Sequence, residues 1–150
     1  MNKIQFKFEI VTDVPIVRDT ISFRNIAFIN PIVDGKSLFE SEDFADSFMV
    51  YEELIKSSKG SGKYLLFTSA CGVADDGGWN GVTIGKNERE VNWEIDKNTH
   101  IIKLTFDINQ YQFELEKLIS EINNLSQGLS LIIQQLIKIQ EEHKRQVVPW

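Results

Sequence analysis

The sequence predicts a single α+β domain over residues 1–150. We expect an antiparallel sheet of about five or six strands, with one middle helix and a long or broken C-terminal helix packed on one face. Three observations lead to this prediction. Apolar and polar residues alternate with a period of two in several runs before residue 107. Residues 42–57 instead have the period of a helix. From Ile108 onward, apolar residues recur at every third or fourth position.

Two runs near the N-terminus have the alternation of strands. Residues 4–10 form the first, and residues 20–29 form the second, in which a change of phase near Asn25 predicts a bulge. The dipeptides Asn30-Pro31 and Asp34-Gly35 are typical of turns. Later strand-like runs cover residues 64–68, 82–86, 91–95 and 102–106. The last three of these predict an antiparallel meander, because tight turns separate them.

Residues 42–57 are predicted to form the middle helix. Ser41 fits the N-cap position, and acidic residues follow it in the first turn, where the helix dipole favours them. Gly60-Ser61-Gly62 is expected to end the helix. The apolar residues lie on one helical face, and they are Phe44, Phe48, Tyr51 and Ile55.

The C-terminal helical region is predicted over residues 108–146. Asp107 fits its N-cap position, and Gln110 stands at the return position of a capping box. A heptad-spaced apolar stripe begins at Ile108 and continues to Ile139. The stripe crosses Gly128, which costs about 1 kcal/mol relative to Ala inside a helix.

Two structures compete for this stripe. One is a continuous helix of about 36 residues, which would be about 54 Å long. The other is a pair of helices hinged at Ser126-Gln127-Gly128. The unbroken register favours the first, whereas the small polar residues at the hinge favour the second. We favour a break, because one domain of this size cannot cover so long a helix. A continuous helix would need another chain to cover its far half.

Composition and charge narrow the classes of partner. Hydrophobic residues make up 42% of the chain and charged residues 25%, which is typical of a folded globular domain. The net charge is −6, so the chain would repel a phosphate backbone, and we expect no nucleic-acid partner. The same negative field favours a basic protein partner.

The sequence is expected to belong to a cytoplasmic protein. Cys71 is the single cysteine, and low cysteine usage fits a reducing compartment. Residues 1–10 alternate polar and apolar side chains and so differ from the continuous apolar stretch of a signal peptide. No run approaches the roughly 18 apolar residues that a membrane-spanning helix needs. We therefore expect no membrane partner.

Catalysis is not expected from the titratable residues. Cys71 would need a base to act as a nucleophile, and the two histidines, His100 and His143, stand outside any catalytic motif. No pair of cysteines or histidines has the spacing of metal ligands. The sequence thus predicts a protein that is not an enzyme, with no catalytic residue, no metal site and no cofactor.

A glycine-rich loop, residues 71–81, is the first candidate contact surface. It holds four of the nine glycines, which permit tight turns and positive φ angles. Trp79 could anchor a partner there, with Asp75 and Asp76 facing its basic groups. The alternative is a long hairpin connection whose Trp79 folds back on the core.

Several short motifs around this loop carry a resemblance. They are Phe67-Thr68, Cys71-Gly72, Gly78-Trp79, Gly81-Val82, Val91-Asn92-Trp93, Phe106-Asp107 and Gln110-Tyr111. Through them residues 65–113, about a third of the chain, resemble a group of small uncharacterised bacterial proteins. That group often has further cysteines beside the Cys-Gly pair, which would imply a metal or redox site. Here Ser69 and Asp76 stand nearby without a second cysteine, and the resemblance implies no activity.

An acidic segment is the second candidate contact surface. Its six acids could imitate nucleic-acid phosphates and occupy the basic active site of a nuclease toxin. The alternative is a solvated helix face. The six residues are Glu40, Glu42, Asp43, Asp46, Glu52 and Glu53.

Two functional hypotheses follow from these surfaces. The first is an immunity protein that neutralises a bacterial toxin, contact-dependent or similar, by direct binding. In size, acidity and α+β composition the chain resembles immunity proteins of bacterial toxin systems. The alternative is a structural or regulatory homodimer assembled through the C-terminal helix, although a heptad stripe of this length is also typical of a core. The self-association residues would be Leu129, Ile132, Ile133, Leu136 and Ile139.

Overall fold

The computed structural model describes residues 1–11, 16–18, 21–23, 26–69, 81–97 and 100–124. The α+β class is confirmed, because this part of the chain contains antiparallel strands and two α-helices. The helices are α1 (Tyr51–Ser57) and α2 (Ile108–Asn123), and Leu38–Glu40 form a 3-10 turn. The strands are β1 (Ile4–Val11), β2 (Ile16–Arg18), β3 (Ile21–Phe23), β4 (Ile26–Val33), β5 (Lys36–Ser37), β6 (Ser47–Met49), β7 (Gly62–Tyr64), β8 (Phe67–Ser69), β9 (Val82–Lys86), β10 (Glu90–Asp96) and β11 (Ile101–Asp107).

Most of the described strands belong to two sheets. One sheet has the order β1-β4-β5 and the other has the order β11-β10-β9-β7. Two ribbons, β2 with β3 and β6 with β8, complete the pairings between the described strands, and all of these strand pairings are antiparallel. The predicted meander is confirmed as β9-β10-β11.

The strands of the meander form because one face of each is apolar. Successive side chains of a strand point to opposite faces. On β10, Val91, Trp93 and Ile95 are buried, whereas Glu94 between them is exposed. On β9, Val82 and Ile84 are likewise buried. The alternation of apolar and polar residues in the sequence therefore predicts correctly which face of each of these two strands packs on the core.

A β-bridge and side-chain hydrogen bonds of Asn2 connect the two sheets just before β1 begins. Asn2 forms a parallel bridge with Phe106 of β11. The Asn2 N–H donates to the Thr105 carbonyl at 2.7 Å, and the Asn2 side-chain oxygen accepts from the Thr105 N–H at 3.0 Å. The Asn2 amide nitrogen also donates to Asp34 Oδ2 at 2.8 Å. One asparagine thus connects β11 to the turn that follows β4.

Trp93 lies at the centre of the core and is 1% exposed. Its indole N–H donates to the Tyr111 hydroxyl at 3.3 Å, and burial raises the pKa of Tyr111. Aromatic rings from four other elements lie within 6.4 Å of Trp93, centroid to centroid; they belong to Phe6, Phe67, Phe106 and Tyr111. The core therefore draws on β1, β8, β11 and α2 at once.

Helix α2 begins where the sequence predicts. The Asp107 carboxylate accepts from the N–H groups of Asn109 and Gln110, which confirms Asp107 as the N-cap. The capping box is not formed. Both polar atoms of the Gln110 side chain bond to the backbone of Ile4 instead, because α2 packs against β1. The first half of the heptad stripe is core, since Tyr111, Leu115 and Leu118 are buried.

The helix predicted over residues 42–57 is wrong in its first half. Ser47–Met49 form β6, all three residues are buried, and they pair with β8. The helix itself, α1, begins only at Tyr51. A short apolar run cannot be assigned to a strand or a helix from its spacing alone. Here the pairing with β8 decides, because it satisfies the backbone hydrogen bonds of buried residues.

Two smaller predictions are corrected nearby. Asn30-Pro31 is no turn, since Pro31 lies within β4 opposite Phe6. A proline has no backbone N–H to donate to a neighbouring strand. It is tolerated here because β5 pairs with β4 only from Ile32 onward, so β5 requires no hydrogen bond from Pro31. The single strand predicted over residues 64–68 is two strands, β7 and β8, in different pairings. Asp34-Gly35 is confirmed as a turn, with φ angles of 53° and 82°.

Several predictions lie outside the described residues. They concern the bulge near Asn25, the glycine-rich loop with Asp75, Asp76 and Trp79, and the hinge near Gly128. The self-association residues also lie outside: Leu129, Ile132, Ile133, Leu136 and Ile139.

Candidate functional site: an acidic turn beside a histidine

Four of the six predicted acidic contact residues lie in one turn. Glu40 ends the 3-10 turn, and Glu42, Asp43 and Asp46 follow before β6 begins at Ser47. We call residues 40–46 the acidic turn. These seven residues contain no Lys, Arg or His, so their carboxylates form a patch of one sign.

The backbone of the acidic turn is held from inside the protein. The Phe44 N–H donates to the Ser41 carbonyl at 3.1 Å, and the Phe44 carbonyl accepts from both the N–H and the hydroxyl of Ser47, at 3.1 and 2.7 Å. The Phe44 side chain is 2% exposed, and its ring centroid lies 5.0 Å from that of Phe67. Because a buried ring fixes the middle of the turn, its exposed side chains project from a defined surface.

The acids of the turn differ in their surroundings. Glu40, Glu42 and Asp46 are exposed. The Asp43 side chain is only 31% exposed, and both of its carboxylate oxygens lie 3.2 Å from His100 Nε2. The contact is an ion pair only when the imidazole is protonated. Asp43 therefore connects the turn to the β10–β11 connection, and the other three acids are more exposed to solvent than Asp43.

The connection between β10 and β11 supplies the basic neighbours of Asp43. The Lys97 N–H donates to the His100 carbonyl at 3.0 Å. Burial lowers the pKa of Lys97, and the nearby Asp43 carboxylate acts in the opposite direction. The negative field of the turn is thus partly compensated on its inner side, and the outward side remains acidic.

The other two predicted acids lie on α1 and have a different role. Glu52 pairs with Lys56 one helical turn later, at 3.4 Å. Glu53 is 7% exposed; its Oε1 accepts from the Leu65 N–H at 3.3 Å, and its Oε2 lies 3.7 Å from Lys56 Nζ. Glu52 first, and Glu53 second, raise the pKa of Lys56. The six acids therefore do not share one helix face, and Glu53 holds the segment before β8 in place.

The pairing of β6 with β8 places Ser69, which lies two residues before the glycine-rich loop in the sequence, opposite Ser47. Ser47, which follows the acidic turn, pairs with Ser69. Ser69 is the last residue of β8, and the chain continues from it into the glycine-rich loop. The loop residues Asp75, Asp76 and Trp79 lie outside the described residues, and the last described residue before them, Ser69, lies beside the end of the acidic turn.

The residues considered for catalysis and metal binding lie only partly within the described ranges. Within these ranges, no group of three His, Cys, Asp or Glu residues could hold a metal ion. His100, the described histidine, contacts Asp43, whereas Cys71 and His143 lie outside the described ranges. No helix in this part of the chain is both long enough and apolar enough to cross a membrane.

Sequence reasoning missed two residues of the site. They are His100 and Lys97, and neither belongs to the contact surfaces that the sequence predicts. Both are far from Asp43 along the chain, so no spacing in the sequence links them to it. Their meeting depends on how the β10–β11 connection packs beside the acidic turn.

Comparisons with known proteins give no relative. No family model, no curated protein and no solved structure matches the chain.

Proposed function

We propose that the protein binds and neutralises a basic protein partner, as an immunity protein does for a bacterial toxin, and that it works in the cytoplasm. The observation that supports this function is the acidic turn, in which a buried Phe44 fixes the backbone while Glu40, Glu42 and Asp46 stay exposed. The proposed contact surface combines this turn with the glycine-rich loop, which follows β8 along the chain.

A fixed acidic surface suits an inhibitor for two reasons. A rigid surface loses little conformational freedom on binding, so more of the interaction energy remains as affinity. Clustered charges of one sign also attract a basic partner over a distance and speed association. The net charge of −6 adds a field of the same sign. Both effects would help an inhibitor to capture a toxin quickly and tightly.

The proposal assigns different roles to the six acids. Glu40, Glu42 and Asp46 contact the partner, and Asp43 orients the turn through His100. Glu52 lies at the margin and shares its charge with Lys56. Glu53 is buried and supports the fold. In the glycine-rich loop, Trp79 acts as an aromatic anchor, with Asp75 and Asp76 at its side.

The test begins with affinity capture on the full chain, followed by mass spectrometry to identify the partner. The association rate of the purified pair is then measured for the double charge reversal Glu42→Lys with Asp46→Lys. We expect the rate to fall roughly tenfold or more at low salt, and the difference to shrink as salt is added.

The matched control reverses two exposed acids elsewhere, Glu88→Lys with Glu121→Lys. It changes the net charge by the same amount, so it separates the local surface from the overall field. The proposal fails if both double variants bind equally well, or if the captured partner is not basic. For an immunity protein, co-expression must also protect cells from the partner. If the partner binds through the turn but is not toxic, the proposed binding surface is supported and the proposed immunity role is contradicted.

The homodimer remains the alternative proposal, and it rests on the apolar stripe that continues past the described end of α2. Analytical ultracentrifugation tests it directly. A strict monomer at high protein concentration would contradict it.

A further inference from the structure

The outer edge of β11 carries backbone groups that face no other described strand. β11 lies at one side of its sheet, and β10 is the described strand that pairs with it. At Thr105 the N–H and the carbonyl both bond to Asn2, so they point away from β10. Backbone groups of an antiparallel strand alternate between its two edges. The N–H and carbonyl groups of Ile101 and Lys103 therefore point outward as well.

Two exposed side chains stand along this edge, one apolar and one basic. Ile101 is 54% exposed, and Lys103 is exposed on the same face of the sheet. On the neighbouring strand β10, Asp96 lies opposite Ile101, and Glu94 lies opposite Lys103. Each of the two edge residues thus has an acidic neighbour on its inner side. An exposed edge of this kind is a template for pairing with another strand.

We propose that this edge pairs with the same edge of a second copy of the chain, so that the two four-stranded sheets become continuous. The two β11 strands run antiparallel, with the twofold axis of the pair at Ile102. Ile101 of each copy then lies opposite Lys103 of the other copy, and the two residues exchange both of their N–H···O=C bonds. Because a twofold contact uses the same surface on both copies, the assembly closes as a dimer.

The outward backbone groups decide this register. An axis at Lys103 would place the two Lys103 side chains directly opposite each other, which is destabilising for like charges. It would also place Ile101 opposite Thr105, whose backbone groups already bond to Asn2. The axis at Ile102 uses only the outward groups of Ile101 and Lys103.

The side chains of the two copies complement each other in this register. The alkyl stem of Lys103 covers the exposed Ile101 of the second copy. The Lys103 ammonium group has Glu94 of its own chain on one side and, beyond Ile101, Asp96 of the second copy on the other. On the core-facing side, the two copies of Ile102, a partly buried residue, meet at the axis. Charge and apolar contact therefore support the same register as the backbone.

The contact is small, because it uses two outward-facing residues of each copy. Small interfaces are typical of transient association, so we expect a dimer whose fraction rises with protein concentration. This dimer uses β11 and is therefore separate from the homodimer proposed through the C-terminal helix. It rests on no residue of the acidic turn, and its outcome leaves the proposed toxin binding untouched.

Disulfide trapping of the full-length chain tests the pairing. In a Cys71→Ser background, Ile102→Cys places the two thiols at the axis, in a non-hydrogen-bonded pair whose Cα atoms lie about 4.5 Å apart. That separation is within the range for a disulfide. Leu104→Cys is the matched control, because Leu104 is also partly buried on the same face, but its two copies would lie about 14 Å apart along the strands.

With oxidised glutathione, we expect Ile102→Cys to form the disulfide-linked dimer roughly tenfold faster than Leu104→Cys. Equal rates for the two variants, or no linked dimer in either, would overturn the proposal.

Sedimentation of two further variants gives an independent readout. Lys103→Pro removes the outward N–H and no bond to β10, so the sheet of each copy is kept. Lys103→Gln keeps that N–H and most of the side-chain stem. We expect Lys103→Pro to lower the dimer fraction about fivefold or more, and Lys103→Gln to retain most of it. A parent chain that stays strictly monomeric at high concentration would overturn the proposal. A dimer that persists in Lys103→Pro would overturn it too, because that dimer would use another surface.

Discussion

Two regions of the molecule differ in how far along the chain their strands find partners. One region is the meander β9-β10-β11 with α2, and the other is residues 38–69. In the meander, each strand pairs with the next strand along the chain, so the local alternation of residues and the tertiary structure agree. In residues 38–69, β6 pairs with β8 across the whole of α1 and β7. The spacing of apolar residues there indicates a helix from residue 42, but pairing with the distant strand β8 makes Ser47–Met49 a strand.

The same difference distinguishes residues that stabilise the domain from residues of the proposed partner surface. The meander and α2 contain the buried Trp93 and the hydrogen bonds of Gln110, which hold the domain together. Residues 38–69 contain the acidic turn. Its shape depends on the packing of Phe44 against Phe67 and on the contact of Asp43 with His100. The proposed partner surface therefore lies in the segment whose local sequence pattern predicts its structure less well. Substitutions in the two regions can show how independent they are.

The largest effect is expected in the region of the meander. Trp93→Ala would remove the ring that contacts four other aromatic side chains and leave a large cavity. We expect a loss of about 4 kcal/mol in the free energy of unfolding, measured by denaturant titration. Trp93→Phe is the control. It removes the hydrogen bond to Tyr111, but it keeps an aromatic ring and so loses only part of the packing. An equal loss for both variants would contradict the central role of packing at this position.

A smaller and more local effect is expected from Phe44→Ala. We expect a loss of about 3 kcal/mol in the free energy of unfolding. Because Phe44 fixes the acidic turn, amide hydrogen exchange should accelerate at Phe44 and Ser47 more than at Val91 in the meander. Uniform acceleration across the domain would instead show that the turn and the core unfold together.

Gln110→Ala tests the contact between α2 and β1. The Ile4 N–H and carbonyl would each lose a partner in a partly buried place. We expect a loss of about 1–2 kcal/mol in the free energy of unfolding. Gln112→Ala is the matched control, because Gln112 is exposed on the same helix, and its loss should stay within about 0.5 kcal/mol. Equal losses would contradict a specific contribution from the bonds to Ile4, because Ala is the better helix former and helix propensity alone predicts no loss.

The smallest effect concerns the dependence of stability on pH. Hydrogen bonds from the Asn2 side chain and the Lys3 N–H hold the pKa of Asp34 below its ordinary value of 3.8. A lowered folded pKa means that the carboxylate stabilises the fold above the unfolded pKa, and that this contribution is lost as the pH falls through the folded pKa. Asp34→Asn keeps a side chain that tolerates the positive φ of 53°.

The Asp34→Asn variant should therefore lose less stability than the parent protein when the pH falls from about 6 to about 3. Thermal unfolding midpoints at several pH values measure this difference. Asp107→Asn serves as the comparison, because it removes another carboxylate that accepts backbone N–H groups. Parallel pH profiles for Asp34→Asn and the parent protein would show that Asp34 does not contribute.

The candidate site could be predicted from the sequence only in part. The acids cluster along the chain, and Glu40, Glu42, Asp43 and Asp46 lie in one turn of the structure. The sequence gives no sign that Glu53 is buried, because that depends on the Leu65 N–H lying beside it. It also gives no sign that His100 meets Asp43, since a contact between two turns depends on the packing of entire strands.

The sequence by itself determined the elements whose partners are near in the chain. The alternation in β9, β10 and β11 and the Asp107 cap of α2 need only their own neighbours, so local chemistry is sufficient for them. The tertiary structure decided that Ser47–Met49 form a strand, that Pro31 lies inside β4, and that Gln110 bonds to Ile4. Each of these depends on a backbone group far away in the sequence, and hydrogen bonds to such groups leave no periodic pattern in the residues that make them.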